Sequence, residues 1–258
     1  MIWIELEGAV NVRDLGGLPT TDGGTTVPGR VLRSANLQEL SPADVSRLVG
    51  GFGVTTVVDL RSTNEVKIEG PAPLDAVPGV RRAHHPVLAE FLDVSDTVKA
   101  ALLLELAEAD RGRYPDDQWC GHYLGYLENR PEEVTAALRS IATAPGAVIV
   151  HCAAGKDRTG VLAALALAAA GVEPDAIVAD YAASNDQLEA IIERLSRSKM
   201  YGGGVTKVPL QAHAPRAETM TAFLEQLDAK YGGVAAWAAG HGLTEDEFGR
   251  LRAKLRQA

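Results

Sequence analysis

The chain has 258 residues, 46% of them hydrophobic and 23% charged, which is enough apolar sequence for a packed core and argues against disorder. Its formal net charge of -9 argues against a nucleic-acid-binding protein, because such a protein needs a basic face. The two cysteines, Cys120 and Cys152, are too few for a disulfide framework and indicate a reducing compartment.

The first part of the chain predicts short strands separated by turns. Ser41 and Pro42 have the residue types of an N-cap and a first helical position, so they predict the start of a helix. The β-branched, apolar run at 54–60 predicts a strand buried on both faces. In chain order, the predicted segments are turns and loops at 11–29, a strand at 31–33, a helix ending at Gly50 and Gly51, the strand at 54–60 and a strand at 81–85.

The second part of the chain is mostly helical in pattern. Residues 87–129 predict helices with a break near 112–117, and they are interpreted as an insertion that covers one end of a sheet. The remaining predictions are helices at 131–143, 158–170, 174–182, 185–198, 217–231 and 244–258, with one short strand at 147–150. Strands that alternate with helices predict an α/β fold with a central, mostly parallel sheet flanked by helices. No linker stands out, so one domain, 1–258, is predicted.

The strand at 147–150 leads into Cys152, and five residues separate this cysteine from Arg158, where the next predicted helix begins. A loop between strand and helix can point its N–H groups inward as an anion nest, and the helix N-terminus adds partial positive charge. Both effects stabilise a thiolate, and the fork of Arg158 fits two phosphate oxygens. The interpretation is a nucleophile and a phosphate clamp rather than an inert buried thiol. The predicted phosphate-binding residues are Ala153, Ala154, Gly155, Lys156, Asp157 and Arg158.

The ten residues from His151 to Gly160 resemble the signature of the protein tyrosine phosphatase superfamily, and more narrowly that of the bacterial PtpB-type tyrosine phosphatases. Four further stretches fit this family: 11–17, 33–37, 58–62 and 180–185. The resemblance implies a tyrosine phosphatase-like fold with a helical lid at 87–129. It also implies a phosphomonoester hydrolase without metal or cofactor, acting through a phosphocysteine and releasing inorganic phosphate. Phosphotyrosine in proteins, phosphoserine or phosphothreonine, and phosphoinositides are the substrates that it implies.

The resemblance also implies roles for individual residues. Thr159 would donate a hydrogen bond to the sulfur, and His151 would orient the loop rather than act as a base. Lys156 would bind a second phosphate of a lipid headgroup. Several residues of the matched stretches are expected to brace the loop: Arg13, Asp14, Arg33 and Arg61.

The general acid, which gives a proton to the leaving oxygen, is left among three aspartates. Asp157 lies inside the loop, where PtpB-type enzymes place an acid. Asp59 ends a predicted strand, and sites form at the carboxyl ends of parallel strands. Asp116 follows a proline in a stretch similar to the mobile acid loop of other tyrosine phosphatases. Asp157 is the favoured candidate.

Two other functions are kept open: a phosphate-recognition module without catalysis, and a rhodanese-like sulfurtransferase. The chain begins without a basic region followed by an apolar run, and its longest apolar stretch, about 12 residues at 161–172, is shorter than the ~20 of a membrane span. The expectation is a cytoplasmic protein without a membrane span, with export by a route other than a signal peptide left open.

Overall fold

The computed structural model describes residues 1–88, 117–207 and 209–256. Six strands form one sheet in the order β1–β2–β3–β6–β4–β5. The strands are β1 Ile2–Trp3, β2 Arg13–Asp14, β3 Val31–Ser34, β4 Val54–Asp59, β5 Arg81–His84 and β6 Ala147–His151. The four strands β3, β6, β4 and β5 run parallel, whereas β1 and β2 are antiparallel to their neighbours.

The register of the central strands brings three strand ends to one place. His151, the last residue of β6, pairs with Ser34 at the end of β3 and with Asp59 at the end of β4. The chain segments that leave these three strands therefore start side by side at the carboxyl edge of the sheet. This edge is where α/β proteins form their sites.

Helices cover the sheet on both faces. Alternate residues of β6 face opposite ways, so that Val148 and Val150 join a large apolar cluster and Ala147 and Ile149 join a smaller one. The helices are α1 Pro42–Ser46, α2 Thr63–Glu69, α3 Gln118–Asn129, α4 Pro131–Thr143, α5 Asp157–Ala169, α6 Pro174–Ala182, α7 Leu188–Arg197, α8 Ala217–Tyr231, α9 Val234–Gly240 and α10 Glu245–Leu255. Helix α5 directly follows the cysteine segment and is buried along almost its whole length, as its Ala- and Leu-rich sequence requires.

The predicted fold class, a mostly parallel sheet flanked by helices, is confirmed. The element predictions missed β1, β2, α2 and α9 and placed the start of α7 too early. The segment 11–29, predicted as turns and loops, contains β2, which is held by pairing with β3. Helices α2 and α9 were not predicted, and α7 begins later than 185 because a 3-10 turn, Ala183–Gln187, precedes it. The first helix continues past Ser46 as one wide turn, Arg47–Gly51.

The lid predicted at 87–129 falls mostly on residues 89–116, which lie outside the described residues. Its end, α3, is a helix as predicted. The assignment of 1–258 to a single domain stays a prediction. Within the described ranges, no helix combines the length and the apolar character needed to cross a lipid bilayer.

Candidate active site

Cys152 lies at the carboxyl edge of the sheet, one residue after β6, and only 2% of its surface is exposed. The residues from Cys152 to Arg158, called the cysteine loop below, turn back into helix α5. Gly155 makes this turn with φ +67°, and a Cβ at this position would lie 2.3 Å from the carbonyl oxygen of Ser34. Glycine is therefore required here both by backbone conformation and by space.

The carbonyl groups of the cysteine loop are held from outside. The amide of Asn36 donates to the carbonyl of Ala153 at 3.0 Å. The side-chain amide of Asn11 donates to the carbonyls of Ala154 at 3.2 Å and Gly155 at 3.0 Å. A loop whose carbonyl groups are held outward is free to turn its N–H groups inward, which is the arrangement of an anion nest.

A buried ion cluster supports the loop from behind. Arg33 donates to the carbonyl of Gly155 at 2.8 Å and to the carboxylate of Asp180. Arg13 donates to the other oxygen of Asp180 at 2.8 Å and to its backbone carbonyl at 2.7 Å. Burial alone would raise the pKa of Asp180, but the charges of Arg33 and Arg13 outweigh burial and lower it. Arg33 thus contacts the loop directly, and Arg13 is linked to Arg33 through Asp180.

Arg158 is held by a partner that the sequence did not indicate. Its Nη1 and Nη2 donate to the two carboxylate oxygens of Glu65 at 2.6 Å and 3.0 Å. The hydroxyl of Tyr201 donates to the same carboxylate and lies 3.4 Å from Nη2 of Arg158. Burial would lower the pKa of Arg158, but the negative charge of Glu65 raises it well above its usual value. Arg158 is therefore a fixed cation.

A second buried ion pair lies at the end of β4. Both carboxylate oxygens of Asp59 accept from the side chain of Arg61, at 2.9 Å and 2.7 Å. His151 lies behind the cysteine, with Nδ1 3.2 Å from the carbonyl oxygen of Cys152 and Nε2 3.7 Å from Asp59. Burial lowers the pKa of His151, which favours a neutral ring. Of these three residues, His151 contacts the loop directly, and Asp59 and Arg61 lie behind it.

Two of the predicted supporting residues differ from this pattern. Asp14 lies outside the network around the loop, because its carboxylate accepts from the amides of Gly16 at 2.9 Å and Gly29 at 2.5 Å. Thr159 is fully buried, and its hydroxyl has no hydrogen-bond partner within the described ranges. Asp116, a candidate acid, lies outside the described residues.

Asp157 and Lys156 stand together at the entrance of the loop. One carboxylate oxygen of Asp157, Oδ1, accepts from the hydroxyl of Tyr123 at 2.6 Å, and the other, Oδ2, lies 3.6 Å from Nζ of Lys156. The Asp157 side chain is 23% exposed. Nζ of Lys156 also donates to the carbonyl of His213 and lies 5.9 Å from the centre of the Trp119 ring.

The cysteine loop forms the floor of a cavity of about 540 Å³. Its wall combines the charged residues Lys156, Asp157 and Arg158 with an apolar face of helix α7. The apolar lining residues are Leu188, Ile191, Ile192, Leu195, Met200 and Val205. The cavity therefore offers an anion site at its floor and an apolar surface for the group attached to the anion. Across the described part of the chain, no cluster of three or more His, Cys, Asp or Glu side chains could hold a metal ion.

Comparison with known proteins agrees with this geometry. The model of the tyrosine phosphatase family matches residues 4–257. The chain belongs to the tyrosine phosphatase family. It is of the PtpB type: it is 30% identical over 279 residues to the triple specificity protein phosphatase PtpB of Mycobacterium tuberculosis, with 97% of this chain and 98% of that protein covered. The resemblance to a cysteine-dependent tyrosine phosphatase is thereby confirmed.

Two further relatives carry related names. A protein of Cupriavidus necator that is provisionally named a tyrosine-protein phosphatase is 34% identical over 87% of this chain and 78% of its own length. A tyrosine-protein phosphatase of Nostoc commune is 30% identical over 91% of this chain and 77% of its own length. The similarity therefore covers nearly the whole chain and not the cysteine loop alone.

The sequence did not indicate every residue of the site, although some of the others carry a recognisable pattern. Ser62 and Glu65 form a capping box at the start of α2, a pattern that the sequence shows and that places Glu65 on the first turn of a helix. Asn11 and Asp180 lie in stretches that matched the family, but no role was given to them. Tyr123 lies 34 residues from its partner Asp157, so nothing local could indicate the contact.

Proposed function

We propose that the chain hydrolyses phosphate monoesters, with phosphotyrosine in proteins as its principal substrate, through a phosphocysteine formed on Cys152. The observation that carries this proposal is the position of Cys152 at the floor of the cavity, next to an Arg158 that Glu65 holds in place. Membership in the tyrosine phosphatase family and the name of the Mycobacterium tuberculosis relative support it.

In the first step, the thiolate of Cys152 attacks phosphorus in line, so that an S–P bond forms while the P–O bond to the leaving group breaks. Arg158 and the N–H groups of the loop would hold the three equatorial oxygens as negative charge spreads over them. The carboxyl group of Asp157 would give its proton to the leaving oxygen, so that a neutral alcohol or phenol departs.

In the second step, water attacks the phosphocysteine and gives a proton to the carboxylate of Asp157. The S–P bond breaks, inorganic phosphate is released and the thiolate of Cys152 is restored. Thr159 lies one residue after Arg158, and its buried hydroxyl is available to donate a hydrogen bond to the departing sulfur. The Asp157 carboxyl then carries a proton for the next turnover.

The choice of Asp157 as the acid rests on which carboxylate is free to transfer a proton. Both oxygens of Asp59 accept from Arg61. Burial alone would raise the pKa of Asp59, but the charge and the hydrogen bonds of Arg61 lower it, which keeps Asp59 ionised. Asp157 lines the cavity and is partly exposed. Asp116 remains an alternative.

Asp157→Asn should slow the turnover of substrates with basic leaving groups far more than that of 4-nitrophenyl phosphate, and an equal loss on both would contradict the assignment of Asp157 as the acid.

Activity on phosphoinositides belongs to the same proposal because Lys156 is a second cation in the wall of the cavity. A headgroup with two phosphates could place one at the cysteine loop and the other near Nζ. Lys156→Ala should lower kcat/KM on a phosphoinositide more than on a phosphotyrosyl peptide, whereas Lys199→Ala should change neither. Unchanged selectivity in the Lys156 variant would remove this part of the proposal.

The main experiment compares the wild type with Cys152→Ser and Cys120→Ala on a phosphotyrosyl peptide. The wild type and Cys120→Ala should release phosphate, and rapid acid quenching should trap one phosphoryl group on Cys152. Cys152→Ser should be inactive. Peptide binding without turnover by the wild type would instead indicate a phosphate-recognition module, and turnover of thiosulfate would indicate a sulfurtransferase.

A further inference from the structure

Two tyrosine hydroxyls and the Asp157 carboxylate form a short chain of hydrogen bonds. The hydroxyl of Tyr123 lies 2.6 Å from Oδ1 of Asp157, and the hydroxyls of Tyr123 and Tyr181 are 2.7 Å apart. Both tyrosines are buried, at 1% and 2% exposure. Neither residue belongs to the cysteine loop: Tyr123 is on α3 and Tyr181 is on α6.

One orientation of the two tyrosine hydroxyl groups gives each of their protons an acceptor. An ionised Asp157 can only accept, so the single proton of Tyr123 is donated to Oδ1, and Tyr181 must then donate to Tyr123. In the reverse direction the proton of Tyr181 would have no acceptor within the described ranges. Burial, together with the negative charge of Asp157, raises the pKa of Tyr123 well above its usual value, so Tyr123 stays a donor.

This direction distinguishes the two oxygens of Asp157. Oδ1 is occupied as an acceptor by Tyr123, whereas Oδ2 lies on the side of Lys156, which lines the cavity. We infer that Tyr123 and Tyr181 are positioning residues that fix the Asp157 carboxyl so that its transferable proton is carried on Oδ2. The inference rests on the proposed role of Asp157 as the general acid.

The two tyrosines are held firmly enough to fix an orientation. The Tyr123 ring packs edge-to-face on Tyr181 and on Phe223, with ring centres 6.0 Å and 6.4 Å away. The Tyr181 ring lies so close to α5 that a Cβ added at Gly160 would be 2.8 Å from it. A rigid donor on a neighbouring helix holds a carboxyl group in one rotamer, which is the requirement for efficient proton transfer.

The test measures kcat/KM for a series of aryl phosphates with increasingly basic leaving phenols. Tyr123→Phe should lower kcat/KM for phenyl phosphate by roughly 10-fold, the effect of losing one hydrogen bond to a charged group, with little change for 4-nitrophenyl phosphate. Tyr181→Phe, which removes only the outer donor, should give the same pattern with a smaller loss. It also serves as the second variant if Tyr123→Phe does not fold.

A double-mutant comparison separates positioning from a structural role. If Tyr123 acts through Asp157, then Tyr123→Phe combined with Asp157→Asn should be no slower than Asp157→Asn alone. Tyr231→Phe is the control, because it removes a tyrosine hydroxyl that does not line the cavity, and it should leave the series unchanged.

Equal losses on all substrates for the tyrosine variants, or additive losses in the double variant, would overturn the inference while leaving the acid role of Asp157 intact. If Asp157→Asn itself shows no dependence on the leaving group, both the acid role and the inference fail. Correct folding of each variant is checked by its thermal unfolding midpoint.

Discussion

Both carboxylate oxygens of Glu65 accept hydrogen bonds from the guanidinium of Arg158, at 2.6 Å and 3.0 Å, although the two residues are 93 positions apart in the sequence. The hydrogen bonds described for Arg158 all use its two terminal nitrogens, so Glu65 does not occupy Nε. The arginine is therefore oriented before a phosphate arrives, and less ordering is needed on binding.

Glu65→Gln should weaken this orientation, because the amide can offer Arg158 only one acceptor and no charge. We expect kcat/KM on 4-nitrophenyl phosphate to fall by roughly 10- to 100-fold, with weaker inhibition by inorganic phosphate, as follows from the loss of a charge-assisted pair. Glu132→Gln, an exposed glutamate, is the control and should leave both constants unchanged. Normal phosphate inhibition in the Glu65 variant would show that Arg158 holds its position without help.

The same residue should also make stability depend on pH. Burial alone would raise the pKa of Glu65, but the charge of Arg158 outweighs burial and lowers the pKa from 4.5 to about 2. A carboxyl group whose pKa is lower in the folded chain than in the unfolded chain stabilises the fold at pH values above its unfolded-state pKa. This stabilisation is lost as the pH falls from the unfolded-state pKa to the folded-state pKa. The contribution is about 3 kcal/mol at neutral pH.

Urea unfolding of the wild type and of Glu65→Gln checks this dependence. The difference between their free energies of unfolding should be largest near neutral pH and should shrink as the solution is made acidic. A difference that stays constant over the whole range would mean that the Glu65 carboxyl titrates alike in the folded and unfolded chains.

The sequence predicted the parts of the molecule that local patterns encode. The buried strands β4 and β6 and the helix α5 are continuous apolar runs bounded by turn residues, and the cysteine loop between β6 and α5 is a local motif. Strands β1 and β2 have two residues each, too few for any pattern, and they are defined by pairing: β1 pairs with β2, and β2 pairs with β3. The contacts of Arg158 with Glu65 and of Asp157 with Tyr123 join distant parts of the chain, and only the folded sheet brings them together.

Gly155→Ala should lower activity by roughly 100-fold while leaving most of the fold intact. The backbone of Gly155 has φ +67°, and the added Cβ would lie 2.3 Å from the carbonyl oxygen of Ser34. The loop must shift to relieve this contact, and a shift of about 1 Å in a catalytic group costs on the order of 100-fold in rate. Gly249→Ala is the matched control, because a Cβ there would meet nothing within 4 Å. An active Gly155 variant would mean that the loop tolerates another turn.

Asp180→Asn should destabilise the protein more than it alters the chemistry. Arg13 and Arg33 are fully buried, and Asp180 provides the negative charge that both of them contact. Removing one member of a buried ion cluster leaves uncompensated charge and costs about 3–5 kcal/mol of unfolding free energy. Urea unfolding measures this loss, and Asp186→Asn on the following turn should have little effect. Because Arg33 also donates to the carbonyl of Gly155, the folded fraction of the Asp180 variant should bind phosphate more weakly than the wild type. A variant as stable as the wild type would show that the two arginines find other partners.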